Sequence, residues 1–185
     1  MVSLAALWLP IILAAVIVFI ASSIMHMVLP YHRSDYKRLN NEENVRGALR
    51  ESGVTPGLYM FPFADHKQMK EPATQEKFKQ GPVGTMIIRQ SGAINLAPFL
   101  VQWFVFCLVV AFFTAYVAAH TLAPGTDYLR VFQVVGSVAF MAYGLANLAN
   151  GIWKGEPWGM VTKEVIDGLV YGLLTAGVFG WLWPR

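Results

Sequence analysis

The chain has 185 residues, of which 56% are hydrophobic and only 14% charged, with a formal net charge of +3. Soluble domains carry about a quarter charged residues, so the composition points away from an ordinary water-soluble protein. The Lys and Arg of 30–95 are interleaved with Asp and Glu, unlike the unopposed basic stripe of a nucleic-acid-binding protein, and no nucleic-acid partner is expected. A lone cysteine, Cys107, excludes an intrachain disulfide and paired-thiol chemistry and reads as a small packing residue.

In chain order, Met1 to His32 contains no Asp, Glu, Lys or Arg. About 20 apolar residues in a helix cross a hydrocarbon core of ~30 Å, so a first spanning helix is expected at about 4–29, with Pro10 tolerated near its start and Pro30 as its stop. The run lacks a basic leader and exceeds the roughly 7 to 15 apolar residues of a signal sequence, which favours an uncleaved span.

The insertion 31–94 has more local pattern than a linker. Asn41 is placed to cap a short amphipathic helix over 42–52, with Glu42 and Glu43 at its positive end and Arg46 and Arg50 at the other. Stretches 58–63 and 83–89 are rich in aromatic and β-branched residues, bounded by Gly and Pro, and are expected to pair as short strands around the polar stretch 65–80.

A second span is expected at 95–122, with Pro98 in its first turn and Ala123-Pro124-Gly125 as the following turn; a third at 128–153; and a fourth at 161–183. The short link between the last two predicts a tight antiparallel hairpin. The expected fold is an all-α membrane protein, one integral domain over 1–185, with four transmembrane helices and a small α+β insertion between the first two. Basic residues concentrate in 31–94 and at Lys154 and Lys163, against Arg130 and Arg185 on the other side. The positive-inside bias then makes 31–94 cytoplasmic and both termini periplasmic.

Ionisable groups within spans are costly and often functional, which singles out Asp167. Lys163 and Tyr171 lie one turn to either side of it on the same helical face, Lys163 being placed to neutralise it. His26, Gln102, Asn147 and Asn150 reach a similar depth, the two asparagines along one helical stripe. This polar layer has two readings: interhelical glue at about 0.6–2 kcal/mol per hydrogen bond, or a site for a polar headgroup, an ion or a proton. His26, His32 and His66, near Asp35 and Asp65, are weak metal-ligand candidates. A six-residue spacing puts His26 and His32 on no shared face of one helix, and His120 lies towards the opposite membrane face from His26, so neither a metal nor a haem cofactor is expected. No Gly-flanked serine nucleophile or other catalytic motif is visible, and no enzymatic activity is expected. Gly168, Gly172, Ala176 and Gly180 recur every four residues, a row that lets helix backbones approach closely in lipid. Most of that row suits packing within the chain, with an excess left for a partner.

The segments His26-Met27-Val28-Leu29-Pro30-Tyr31-His32-Arg33-Ser34-Asp35-Tyr36, Pro56-Gly57-Leu58-Tyr59-Met60-Phe61-Pro62, Gly81-Pro82-Val83-Gly84 and Val101-Gln102-Trp103-Phe104 resemble a family of small bacterial inner-membrane proteins with no assigned activity. The resemblance implies a bacterial inner-membrane location and transfers no catalytic residue. The leading expectation is a non-enzymatic accessory or structural subunit that packs in the lipid bilayer against another membrane protein or a second copy of itself. The alternative is a small carrier or sensor of a lipid-like or protonatable ligand, using the layer around Asp167.

Overall fold

The charge-free runs fold as helices, and four are long and apolar enough to cross a membrane: Leu4–Val28, Ala97–Thr121, Tyr128–Lys154 and Trp158–Trp181. The computed structural model describes all 185 residues. Two units are distinguished by their internal contacts, Met1–Asp35 with Asn95–Arg185, and Tyr36–Ile94.

The first span opens with a 3-10 turn at Leu4–Leu7 and continues as α1, Trp8–Ser23. Its last turn, Ile24–Val28, widens to π-helical geometry. Leu29 then leaves the helix with φ −75° and ψ 139°, the conformation that a following proline imposes. Pro30–Ser34 forms a 3-10 turn.

In the unit Tyr36–Ile94, α2 occupies Glu42–Glu51 and ends close to the expected position. Asn41 precedes it but does not cap it through its side chain: its backbone is left-handed, φ 55°, and only its carbonyl serves the helix, accepting from Asn44 and Val45. Strands β1, Gly57–Phe61, and β2, Gly84–Ile88, pair antiparallel from Gly57 opposite Ile88 to Phe61 opposite Gly84. The stretch between them, read as merely polar, contains a further helix, α3, Pro72–Gln80, with proline in its first turn, Lys77 and Lys79 in its last, and Gly81 at φ 60° beyond its end.

The remaining spans are α4, Ala97–Thr121, α5, Tyr128–Tyr143, and α6, Trp158–Trp181. The last starts three residues earlier than expected, directly after Pro157. The third span departs most from expectation. Its α-helix stops at Gly144, followed by a 3-10 turn at Leu145–Asn147 and a π-helical turn at Asn150–Lys154. Gly144 is where α6 comes closest, since a Cβ on Gly168 would fall inside the Gly144 backbone.

That approach belongs to a continuous seam. A Cβ on Gly172 would meet the Phe140 backbone nitrogen at 3.1 Å, one on Gly136 would meet Ala176 Cβ at 3.2 Å, and one on Gly180 would strike the Tyr128 ring. The row Gly168, Gly172, Ala176 and Gly180 therefore faces α5 of the same chain. Helix α1 packs against α4 and α6. One core layer gathers Leu7, Ala115, Val131, Val135 and Phe179; the other gathers Val18, Cys107, Ala139, Tyr143 and Tyr171 and adjoins the site described next.

Candidate functional site

The turn forced by Pro30 brings His32 back against the end of the first span, with its ring centroid 4.2 Å from that of His26. The six-residue spacing thus defeats a shared face only for an unbroken helix, and the break after Val28 overturns that objection. His32 bridges two carboxylates: its Nδ1 lies 2.6 Å from Asp35 Oδ2 and its Nε2 lies 2.8 Å from Asp167 Oδ2. His26 Nε2 is 3.7 Å from the same Asp167 oxygen. Donor atoms of His26, His32 and Asp167 all fall within 4.8 Å of one another.

Lys163 does not neutralise Asp167 as its helical spacing suggested. Its ammonium turns to the Pro30–Ser34 segment and the residue after it, donating to Asp35 Oδ1 at 2.5 Å, the Tyr31 carbonyl at 2.6 Å and Ser34 Oγ at 2.8 Å. The Lys163 ammonium, aided by His32, holds the Asp35 carboxyl below the usual carboxylate range, against a burial that pushes it up. Asp167, 2% exposed, is left with the histidines on one oxygen and no hydrogen-bond partner on the other, Oδ1.

A cavity of about 580 Å³ opens beside this carboxylate. Its lining includes the polar residues His26, Gln102, Asn147, Glu164 and Asp167 and the aromatic residues Phe99, Trp103, Phe106, Tyr143 and Tyr171. The Tyr171 hydroxyl and Glu164 Oε2 are also buried without a partner. The walls are braced from neighbouring helices. Trp103 Nε1 donates to Ser22 Oγ at 2.7 Å, and Trp103 and Tyr143 pack on the Tyr171 ring with centroids 6.3 Å and 5.7 Å away. An aromatic chamber with a few convergent polar groups is the usual form of a small-ligand site.

Of the expected polar layer, His26, Gln102, Asn147 and Asp167 line this cavity. Asn150 does not: the backbone changes from the 3-10 turn that ends at Asn147 to the π-helical turn that starts at Asn150, so the two no longer share one α-helical stripe, and the Asn150 carbonyl accepts from Gly155 and Glu156. His66 belongs to the other unit, Tyr36–Ile94. His120 bonds locally to the Tyr116 carbonyl. The aromatic walls and Glu164 were missed in the sequence, although Glu164 lies three residues before Asp167, on the same helical face.

No protein-family model, curated protein or solved structure matches the chain at a significant level, so the resemblance to small bacterial inner-membrane proteins rests on its motifs alone.

Proposed function

We propose that this is a non-enzymatic polytopic protein of the bacterial inner membrane, with both termini periplasmic and 31–94 cytoplasmic. It is a small carrier or sensor whose cavity receives the polar head of an amphiphile. Membrane insertion is supported by the surface: in three of the four apolar helices only 28% of an 18-residue apolar window is buried inside the chain, and contiguous exposed apolar surface is uncommon on soluble monomers.

The ligand reading is carried by Asp167 Oδ1, a buried and unpaired carboxylate oxygen in a residue that lines a chamber. A buried polar atom without a partner costs about 1–3 kcal/mol, more when charged, and a bound hydrogen-bond donor would relieve that penalty. Glu164 Oε2 is a second unpaired acceptor, so the head group best suited to the cavity bears amine or hydroxyl donors. Phosphatidylethanolamine and phosphatidylcholine test this directly, because the methylated head keeps its positive charge but lacks the N–H donors. Native mass spectrometry of protein released from mixed nanodiscs should show preferential retention of the ethanolamine lipid; equal retention of both contradicts the donor-selective site.

A second reading, the accessory subunit, draws on a different surface. On the strand pair, Leu58, Met60 and Ile87 share one exposed face, with Leu58 72% and Ile87 73% accessible. The Gly168 row does not favour it, being occupied by α5. Co-purification of one stoichiometric membrane protein, lost in Leu58→Ser/Ile87→Ser, supports the accessory role; an unpartnered particle after mild extraction counts against it.

A further inference from the structure

The head group is not the only species that the Asp167 end of the cavity is shaped for. Two imidazoles and one carboxylate converge there with their donors within 4.8 Å of one another, and the two spacings from the carboxylate are close to those of ligands on one ion. Metal–ligand bonds of about 2.0–2.1 Å in tetrahedral geometry place neighbouring donors about 3.3 Å apart. The 2.8 Å from His32 Nε2 and the 3.7 Å from His26 Nε2 to Asp167 Oδ2 bracket that value. A clamp joining the first span to α6 needs only His32, whereas His26 points at the same oxygen from beyond hydrogen-bonding range.

The surroundings add a second, independent indication. Metal-bound histidines usually donate their other ring nitrogen to a carboxylate, which fixes the tautomer and aims the free lone pair. His32 Nδ1 is held in this way by Asp35, itself anchored by Lys163. Asp167 Oδ1, buried and without a partner, is available to the same ion or to a ligand beside it.

We propose that His26, His32 and Asp167 form a binding site for a divalent transition-metal ion of the zinc class, with Asp35 as the residue that positions His32. Two imidazoles in a set of three donors favour Zn²⁺, Co²⁺ or Ni²⁺ over Mg²⁺ and Ca²⁺, which prefer oxygen. Three protein ligands leave a four-coordinate ion one further position. Because His26 and Asp167 line the cavity, an ion held by them lies at its wall.

The test uses the full chain in detergent, purified without a histidine tag, stripped with chelator and titrated with Co²⁺, whose visible absorption reports nitrogen and oxygen ligation. One equivalent should bind and be displaced by Zn²⁺. His26→Ala should weaken binding at least tenfold, and Asp35→Asn by about ten- to a hundredfold with a changed Co²⁺ spectrum. His66→Ala and His120→Ala should bind as the parent does. The His26 ring has no hydrogen bond to lose, so His26→Ala remains informative where His32→Ala fails to fold. Absence of a Co²⁺ band in the parent protein, or unchanged affinity in both His26→Ala and Asp167→Asn, overturns the site. Asn147→Leu should leave Co²⁺ binding intact, so loss of lipid selectivity and loss of metal are separable outcomes.

Discussion

His32 and Asp167, 135 positions apart in sequence, meet through a 2.8 Å hydrogen bond that ties the end of the first span to α6. For a bundle inserted in lipid, as proposed, apolar burial gives helices little reason to associate, because the surroundings are as apolar as the core. Close backbone packing and a few polar links of this kind therefore carry the specificity of the bundle.

Gly168→Ala should be among the most disruptive single-methyl changes, because its Cβ would occupy the position of the Gly144 backbone. Overpacking of this kind costs about 1–3 kcal/mol and occasionally more, and contact with backbone places it at the upper end. Gly159→Ala, near the start of the same helix with nothing within 4 Å of the new methyl, should be neutral or slightly stabilising. Thermal unfolding of both variants in the same detergent checks the contrast.

The Trp103–Ser22 bond should show as a coupling between α4 and α1. A double-mutant cycle of Trp103→Phe and Ser22→Ala, measured by reversible unfolding, is expected to give about 0.6–2 kcal/mol. A coupling near zero would mean that Trp103 braces the cavity by ring packing alone.

Lys163→Met should release the segment after the first span, since one ammonium holds Tyr31, Ser34 and Asp35 together. Hydrogen bonds to a charged group contribute about 1.5–3 kcal/mol each in favourable cases. Hydrogen exchange is the sensitive readout: the Asp35 amide, bonded to the His32 carbonyl, should lose protection, while amides in the middle of α4 keep theirs.

The orientation predicts opposite behaviour of two reporters. One fused after Arg185 should be active only as a periplasmic reporter, and one inserted near Lys70 only as a cytoplasmic one. The reverse at both sites inverts the proposed topology.

Helix positions were legible because absence of charge over 20 or more residues is a strong signal, needing no knowledge of neighbours. The break at Gly144 was not, since glycine is frequent in spanning helices and only the approach of Gly168 explains its position. The partners of Asp167 were hidden for a related reason. Helical spacing put Lys163 beside it, but the decisive event is the Pro30 turn, which sends Asp35 to Lys163 and leaves Asp167 to the histidines. His26, Gln102, Asn147 and Asp167 could be grouped by depth alone, whereas Asn150 could not be excluded before the third span was known to change geometry. Helix α3 was overlooked because its apolar content is too low to produce a periodic signal.

If the chamber beside Asp167 binds a ligand and is more than interhelical glue, the double variant Gln102→Leu/Asn147→Leu should separate the two roles. Both residues line the cavity, so leucine at both makes its lining beside Asp167 less polar. The Asn147 side chain also donates to the Tyr143 carbonyl that the break frees, its own amide bonding to Gly144 instead. The double variant should therefore cost the bundle one hydrogen bond, about 1 kcal/mol. Native mass spectrometry and thermal unfolding of the same sample should show complete loss of the phosphatidylethanolamine preference with only a small fall in unfolding temperature. An unaltered lipid preference, or a preference that falls only in proportion to stability, would make the layer interhelical glue and rule out a ligand site there.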